Sequence, residues 1–112
     1  MRLTSEFFVS ALTRRIFKDG GFAAVERKGA EGAGAIFLRQ RHRDGLETLY
    51  GPAPQSIFEE ERPERRFEIR VERGEAEAVE AVIARELKWD PDLWLVEIET
   101  EDASSYITVG DG

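Results

Sequence analysis

The dipeptide Asp44-Gly45 constrains this chain more than any other feature. It separates two runs that alternate like strands, and Asp-Gly is a favoured two-residue hairpin loop. The first run, residues 34–43, has the apolar centre Ala35-Ile36-Phe37-Leu38, and the second spans Leu46 to Tyr50. With a two-residue loop, Arg43 opposes Leu46, His42 opposes Glu47, Arg41 opposes Thr48, Gln40 opposes Leu49 and Arg39 opposes Tyr50. Alternate residues share a face. Ile36, Leu38 and Leu49 are therefore predicted on one face, with His42 and Glu47 near the turn. Phe37, Arg39, Arg41, Arg43, Thr48 and Tyr50 fall on the other. The first face is the expected core, and the second is a basic row flanked by aromatic rings. A centre apolar on both sides predicts a central strand with cover on each face.

The rest of the pattern builds around this hairpin. Phe8, Val9, Leu12 and Ile16 recur at helical spacing and predict a helix from Glu6 to about Lys18, capped by Thr4 or Ser5 and ended by Gly20-Gly21. Phe22 to Lys28 reads as a strand, and Gly29 to Gly32 as a turn. Pro52 and Pro54 place residues 51–55 outside regular structure, and a long charged loop is expected over about 51–66. Phe67, Ile69 and Val71 alternate with Glu68, Arg70 and Glu72, the mark of a half-buried strand. Ala76, Val79, Val82, Ile83 and Leu87 form the apolar stripe of a second helix, Glu75 to about Lys88. Leu93 to Thr100 reads as another strand, with Trp94, Val96 and Ile98 inward, and Tyr106 to Val109 as a short edge strand. The stretch from Phe67 to Thr100 is long enough for a parallel crossover. These elements predict an α+β fold, a mainly antiparallel sheet of five to six strands packed against two helices, in one domain spanning 1–112.

Composition excludes some chemistry. The 112 residues contain no cysteine, which rules out disulfides, thiolate metal sites and a cysteine nucleophile. No apolar run reaches the length of a membrane span, and Glu6 is acidic where a targeting helix is basic, so a cytoplasmic protein without integral membrane association is expected. The net charge is -7, but residues 1–50 carry nine basic and six acidic groups while residues 51–112 carry seven and seventeen. The whole chain should repel nucleic acid at long range, and the two halves should attract one another.

Candidate sites follow from this asymmetry. Arg39, Arg41 and Arg43 on one strand face would stand ~6–7 Å apart, a spacing that suits an extended polyanion, and Tyr50 offers a ring for stacking. The structural alternative pairs these arginines with Glu68, Glu72, Glu97 and Glu99. Arg14 and Lys18, four apart on the first helix, would extend the patch. Trp89 lies off its helix stripe and is a candidate surface anchor, as are Phe7 and Phe17. His42, the only histidine, faces Glu47 in the expected register and gives the residues for an acid–base pair. Glu59-Glu60-Glu61 with Glu64 is a carboxylate run that reads as a solvated loop before it reads as a cation site. Residues 29–34 are glycine-rich without the spacing of a nucleotide loop, and no GxxxxGK[ST], HExxH or GxSxG occurs. No cofactor, metal or catalytic residue is assigned.

Several segments together resemble one family. Phe8-Val9-Ser10-Ala11-Leu12-Thr13-Arg14-Arg15, Gly20-Gly21-Phe22-Ala23, Ala33-Gly34-Ala35-Ile36, Leu49 to Gln55 and Trp89 to Glu99 are similar to a family of small proteins found mainly in alphaproteobacteria and known only as a domain of unknown function. The resemblance covers nearly the whole chain. It implies one domain and a cytoplasmic setting, and it marks the proline-framed loop from Tyr50 to Gln55 as one wall of a binding site. It supplies no activity, cofactor or catalytic residue. The leading expectation is a non-enzymatic accessory protein with a protein partner or a homodimer. The alternatives are RNA or DNA contact through the arginine row, and a small enzyme using His42 with a carboxylate.

Overall fold

The computed structural model describes residues 3–54 and 65–110. Helix α1 (Ser5–Lys18) is followed by β1 (Phe22–Arg27), β2 (Ile36–Arg41) and β3 (Glu47–Pro52). Then come β4 (Arg66–Gly74), α2 (Ala76–Trp89), β5 (Trp94–Glu99), a 3₁₀ turn (Ala103–Ser105) and β6 (Thr108–Val109). The strands form one mixed sheet in the order β1-β5-β2-β3-β4-β6. β2 runs parallel to β5 and β4 parallel to β6, and the other neighbours are antiparallel. β4 and β5 therefore point the same way, and α2 crosses over β3 and β2 to join them.

The two helices take opposite faces. α1 begins where the Phe7 N–H donates to Thr4 Oγ1 at 3.1 Å and ends at Gly20, whose φ of 90° is left-handed. Its Val9, Leu12 and Ile16 pack with Leu38, Val96 and Ile98. On the other face, Val79 and Ile83 of α2 pack with Phe37, Leu49, Leu93 and Leu95. β2 is thus covered on both sides, as its doubly apolar centre predicts, and Trp94 is buried with α1, its Nε1 donating to the Ala30 carbonyl at 2.8 Å.

Three local readings are corrected. The hairpin loop holds three residues, not two: His42 N–H donates to Leu46 O at 2.9 Å and Gly45 N–H to His42 O at 3.1 Å. Gly45 takes a φ of 89°, and Asp44 Oδ1 accepts from the Leu46 N–H, the pattern of a turn closed by a left-handed glycine. The pairs become Leu38↔Tyr50, Arg39↔Leu49, Gln40↔Thr48 and Arg41↔Glu47. A slip of one residue turns every β3 side chain to the other face. Leu49 and Glu47 join Phe37 and Arg39, while Thr48 and Tyr50 join Leu38.

The second correction concerns β4. Tyr50 pairs with Ile69 but Leu49 with Val71, so Arg70 is the extra residue of a bulge. Phe67 packs on the α1 side, whereas Val71 packs on the α2 side. The third concerns Gly51 and Pro52, which continue β3 opposite Glu68 and Phe67. Ala53 N–H donates to Arg66 O, so the missing Pro52 N–H points away from β4, past the last β2–β3 pair. The charged run expected over residues 56–64 lies outside the described residues.

The turn after β1 packs backbone against backbone. A β-carbon on Gly29 would fall on the Asp92 carbonyl oxygen and 2.6 Å from the Leu93 carbonyl carbon, whereas one on Gly32 meets open space. Gly29→Ala should cost about 3 kcal/mol, the upper end of over-packing penalties. Gly32→Ala should change stability by less than about 0.5 kcal/mol. Urea denaturation of both variants checks the contrast.

Candidate functional site

Alternation along β2 does set Arg39 and Arg41 on one face, with Phe37. The corrected register then decides their surroundings, because it brings Glu47 to that same face. Arg39 is only 6% exposed. Its Nε donates to Glu47 Oε1 at 2.6 Å, its Nη2 to Glu80 Oε2 at 3.2 Å, and its Nη1 lies 3.6 Å from Glu26 Oε1. Burial pulls this guanidinium towards neutrality, and the bonds to Glu47 and Glu80 more than offset that. Arg41 shares Glu47 at 3.3 Å and reaches Glu97 at 3.5 Å. Arg43 is well exposed at the hairpin tip and pairs with Glu101 at 3.3 Å. Of the four carboxylates expected beside the row, Glu97 alone is within ion-pair distance of one of its arginines, Arg41. Glu26, Glu47, Glu80 and Glu101 hold the other positions.

The remaining candidates disperse. Phe37 is buried under the Arg70 guanidinium, 5.3 Å from its ring centre. Tyr50 is buried on the α1 side, and its hydroxyl donates to Gln40 Oε1 at 2.8 Å, so it offers no face for stacking. Arg14 and Lys18 are exposed on α1, across the sheet from Arg39. Arg15, also exposed, donates to the Ser105 and Tyr106 carbonyls. Trp89 is 83% exposed at the end of α2. Sequence reasoning missed Arg70, which ties α2 to the sheet through Glu86 at 2.8 Å and bonds the Pro52 carbonyl at 2.8 Å. A bulge leaves no mark in an otherwise regular alternation.

His42 and Glu47 sit on opposite faces, so the acid–base pair is not formed. His42 Nε2 lies 2.8 Å from Thr48 Oγ1, which also accepts the Arg73 N–H at 3.2 Å. That leaves the threonine proton for the ring nitrogen and suits a neutral imidazole. Burial lowers the His42 pKa and the charge of Arg73 lowers it further, against a smaller opposing effect of Asp44. Arg73 holds a φ of 44°, unusual for a residue with a β-carbon, and pairs with Asp44. These groups line an open cleft of about 790 Å³ with Arg41, Asp19 and Glu99. It lies where β2, β4 and β5 all end. Its basic side chains Arg41, Arg43 and Arg73 each hold a carboxylate. Among the described residues no group of three or more His, Asp or Glu side chains could hold a metal ion. The run Glu59-Glu60-Glu61 with Glu64 lies outside them.

The comparisons place this architecture. The model of a family described as a protein of unknown function, DUF1491, matches residues 3–108. The chain belongs to the DUF1491 family. A solution structure of an A. tumefaciens protein is 59% identical, with a TM-score of 0.89, all of this chain covered and 98% of that one. A crystal structure of a DUF1491 protein from Caulobacter crescentus is 32% identical, with a TM-score of 0.79 and 99% and 100% covered. A solution structure of a DUF1491 family protein from the same organism gives the same identity and TM-score. No curated protein matches. DUF1491 membership carries a fold and alphaproteobacterial relatives. Among the described residues no helix is long and apolar enough to cross a membrane.

Two measurements test the site as drawn. Arg39→Met leaves the buried Glu47 carboxylate with the longer Arg41 contact alone and should cost about 3 kcal/mol, and Arg39→Met/Glu47→Leu should recover most of that loss; thermal and urea unfolding report both. His42 should titrate below the ordinary histidine range by NMR. With its folded pKa below its unfolded one, the stability it contributes is full above the unfolded value and is lost as pH falls through the folded value. Arg73→Ala should move the midpoint upward.

Proposed function

We propose that this DUF1491 protein is a cytosolic, non-enzymatic accessory protein that binds another polypeptide at the β1 edge. The observation that carries the reading is a set of exposed apolar side chains wrapped around an open strand. Phe17 is 50% exposed, Phe22 41% and Val25 45%, and the Phe17 and Phe22 rings meet edge to face at 5.7 Å. β1 is the outermost strand, and among the described residues no strand pairs with its outer side. Edges of this kind are usually blunted by charge or a bulge. β1 has both only at its far end, where the register breaks between Val25 and Arg27, and Phe22 to Val25 carry no charge. RNA or DNA contact through the arginine row has less support, because Arg39 is enclosed and Arg41 and Arg43 already hold carboxylates.

Immobilised wild-type protein and Phe17→Ser/Phe22→Ser compare directly. The wild type should retain a polypeptide in stoichiometric amount, or self-associate by light scattering, and the variant should lose this while keeping its circular dichroism. Equal retention by both, or retention of nucleic acid alone, overturns the reading.

A further inference from the structure

The β1 edge borders a sheet face that α2 leaves open. α2 packs mainly on β3 and β4 and shares a core cluster with Phe37 of β2 and Leu95 of β5, so the outer end of this face, over β1 and the Glu97–Glu99 end of β5, lies beyond its main contacts. Register places Phe22, Ala24 and Glu26 of β1 there, with Glu97 and Glu99 of β5 and Arg39 and Arg41 of β2. Counting Glu47 and Glu80, four carboxylates share two guanidiniums, and Glu99 stands beside them outside these ion pairs. Glu97 registers the surplus. Burial raises its pKa, Arg41 opposes that, and the charges of Glu26 and Glu99 with a hydrogen bond to Glu99 raise it further. The face is short of cations.

Ala24 gives access to it. It pairs with Glu97, so one methyl group separates the sheet edge from that carboxylate. A strand added outside β1 would lie about 4.8 Å from it and about 10 Å from β5, within reach of a lysine or arginine side chain meeting a glutamate. On the opposite face the added strand would meet Val25, with Phe17 beside it.

Resting on the reading of β1 as a binding edge, we propose that its occupant is an extended segment of a partner protein in which lysine or arginine alternates with apolar residues. Its basic side chains cross Ala24 to Glu97, with Glu99 one pair further along behind Phe22, and its apolar ones pack on Val25 and Phe17. A second copy fits less well. Two-fold pairing about β1 would set Glu26, Glu97 and Glu99 of both copies on one continuous face, between chains that each carry a net charge of -7.

A ten-residue peptide of alternating lysine and valine is the probe, with a glutamate–valine peptide as its counterpart, both titrated into ¹⁵N-labelled protein. The lysine peptide should shift the amides of residues 22–26 and lose affinity with salt, and the glutamate peptide should not bind. Glu97→Gln/Glu99→Gln should weaken binding about tenfold, the worth of one charge-assisted bond. Glu75→Gln/Glu77→Gln removes the same charge elsewhere and should leave binding unchanged. Ala24→Arg should block the peptide by answering Glu97 from within. The proposal falls if both peptides bind alike, if the two glutamine pairs behave alike, or if light scattering shows a dimer that competes with the peptide. If Phe17→Ser/Phe22→Ser abolishes capture while Glu97→Gln/Glu99→Gln changes nothing, the binding edge stands and the basic partner is refuted.

Discussion

The ion pair between Arg39 and Glu47 organises the α2 side of this molecule. Both side chains are almost fully withdrawn from solvent, on adjacent central strands. Taking a guanidinium and a carboxylate out of water costs several kcal/mol each before their attraction is counted, so neither is tolerable there alone. The arrangement is stable because Arg39 spends its remaining donors on Glu26 of β1 and Glu80 of α2, and Glu47 spends its second oxygen on Arg41. One buried cation thereby links β1, β2, β3 and α2, and Arg41 carries the link to β5 through Glu97. Arg70 does the same at the other end of α2, between Glu86, the Pro52 carbonyl and the Phe37 ring. Only Val79 and Ile83 of α2 are fully buried, so these two arginines fix the helix where its apolar stripe is thin.

That network exists because of two irregularities of a single residue each. The extra loop residue at Arg43-Asp44-Gly45 turns Glu47 towards Arg39, and the bulge at Arg70 turns Val71 towards α2. Without the first, Glu47 would face the α1 core and Tyr50 the arginines. Without the second, Val71 would share the α1 face with Phe67 and Ile69. Strand faces have a period of two, so an insertion of one residue exchanges the faces rather than shifting them. The hairpin and the bulge together give each helix its own apolar patch on the sheet.

The same geometry separates the polar residues by role. Arginines that look like a ligand-binding row in the sequence are absorbed into holding the fold, and the acid surplus is left at the uncovered end over β1 and β5. That end also carries exposed Phe22, beside Phe17. An edge strand with an apolar start and an acidic neighbouring face is the edge proposed for docking, whereas the interior network holds elements of the fold together. The cleft at the hairpin end holds His42 as a neutral ring beside arginines that already hold carboxylates.

Elements were legible in the sequence because their signals are local. The periodicity of Val9, Leu12 and Ile16 and of Val79 and Ile83 gives the helices. The doubly apolar centre at Ile36-Phe37-Leu38 gives a strand covered on both sides, and glycine and proline mark most of the boundaries. Burial of Trp94 and exposure of Trp89 follow from the same pattern. The site was legible only in part. Three arginines in alternation were visible, but the partners of Arg39 alone, Glu26, Glu47 and Glu80, come from three other elements, and charge alone does not say which carboxylates arrive. Register, strand order and the side taken by each helix were decided by the tertiary structure, because an inserted residue costs little locally and is selected by what it lets distant side chains bury and pair.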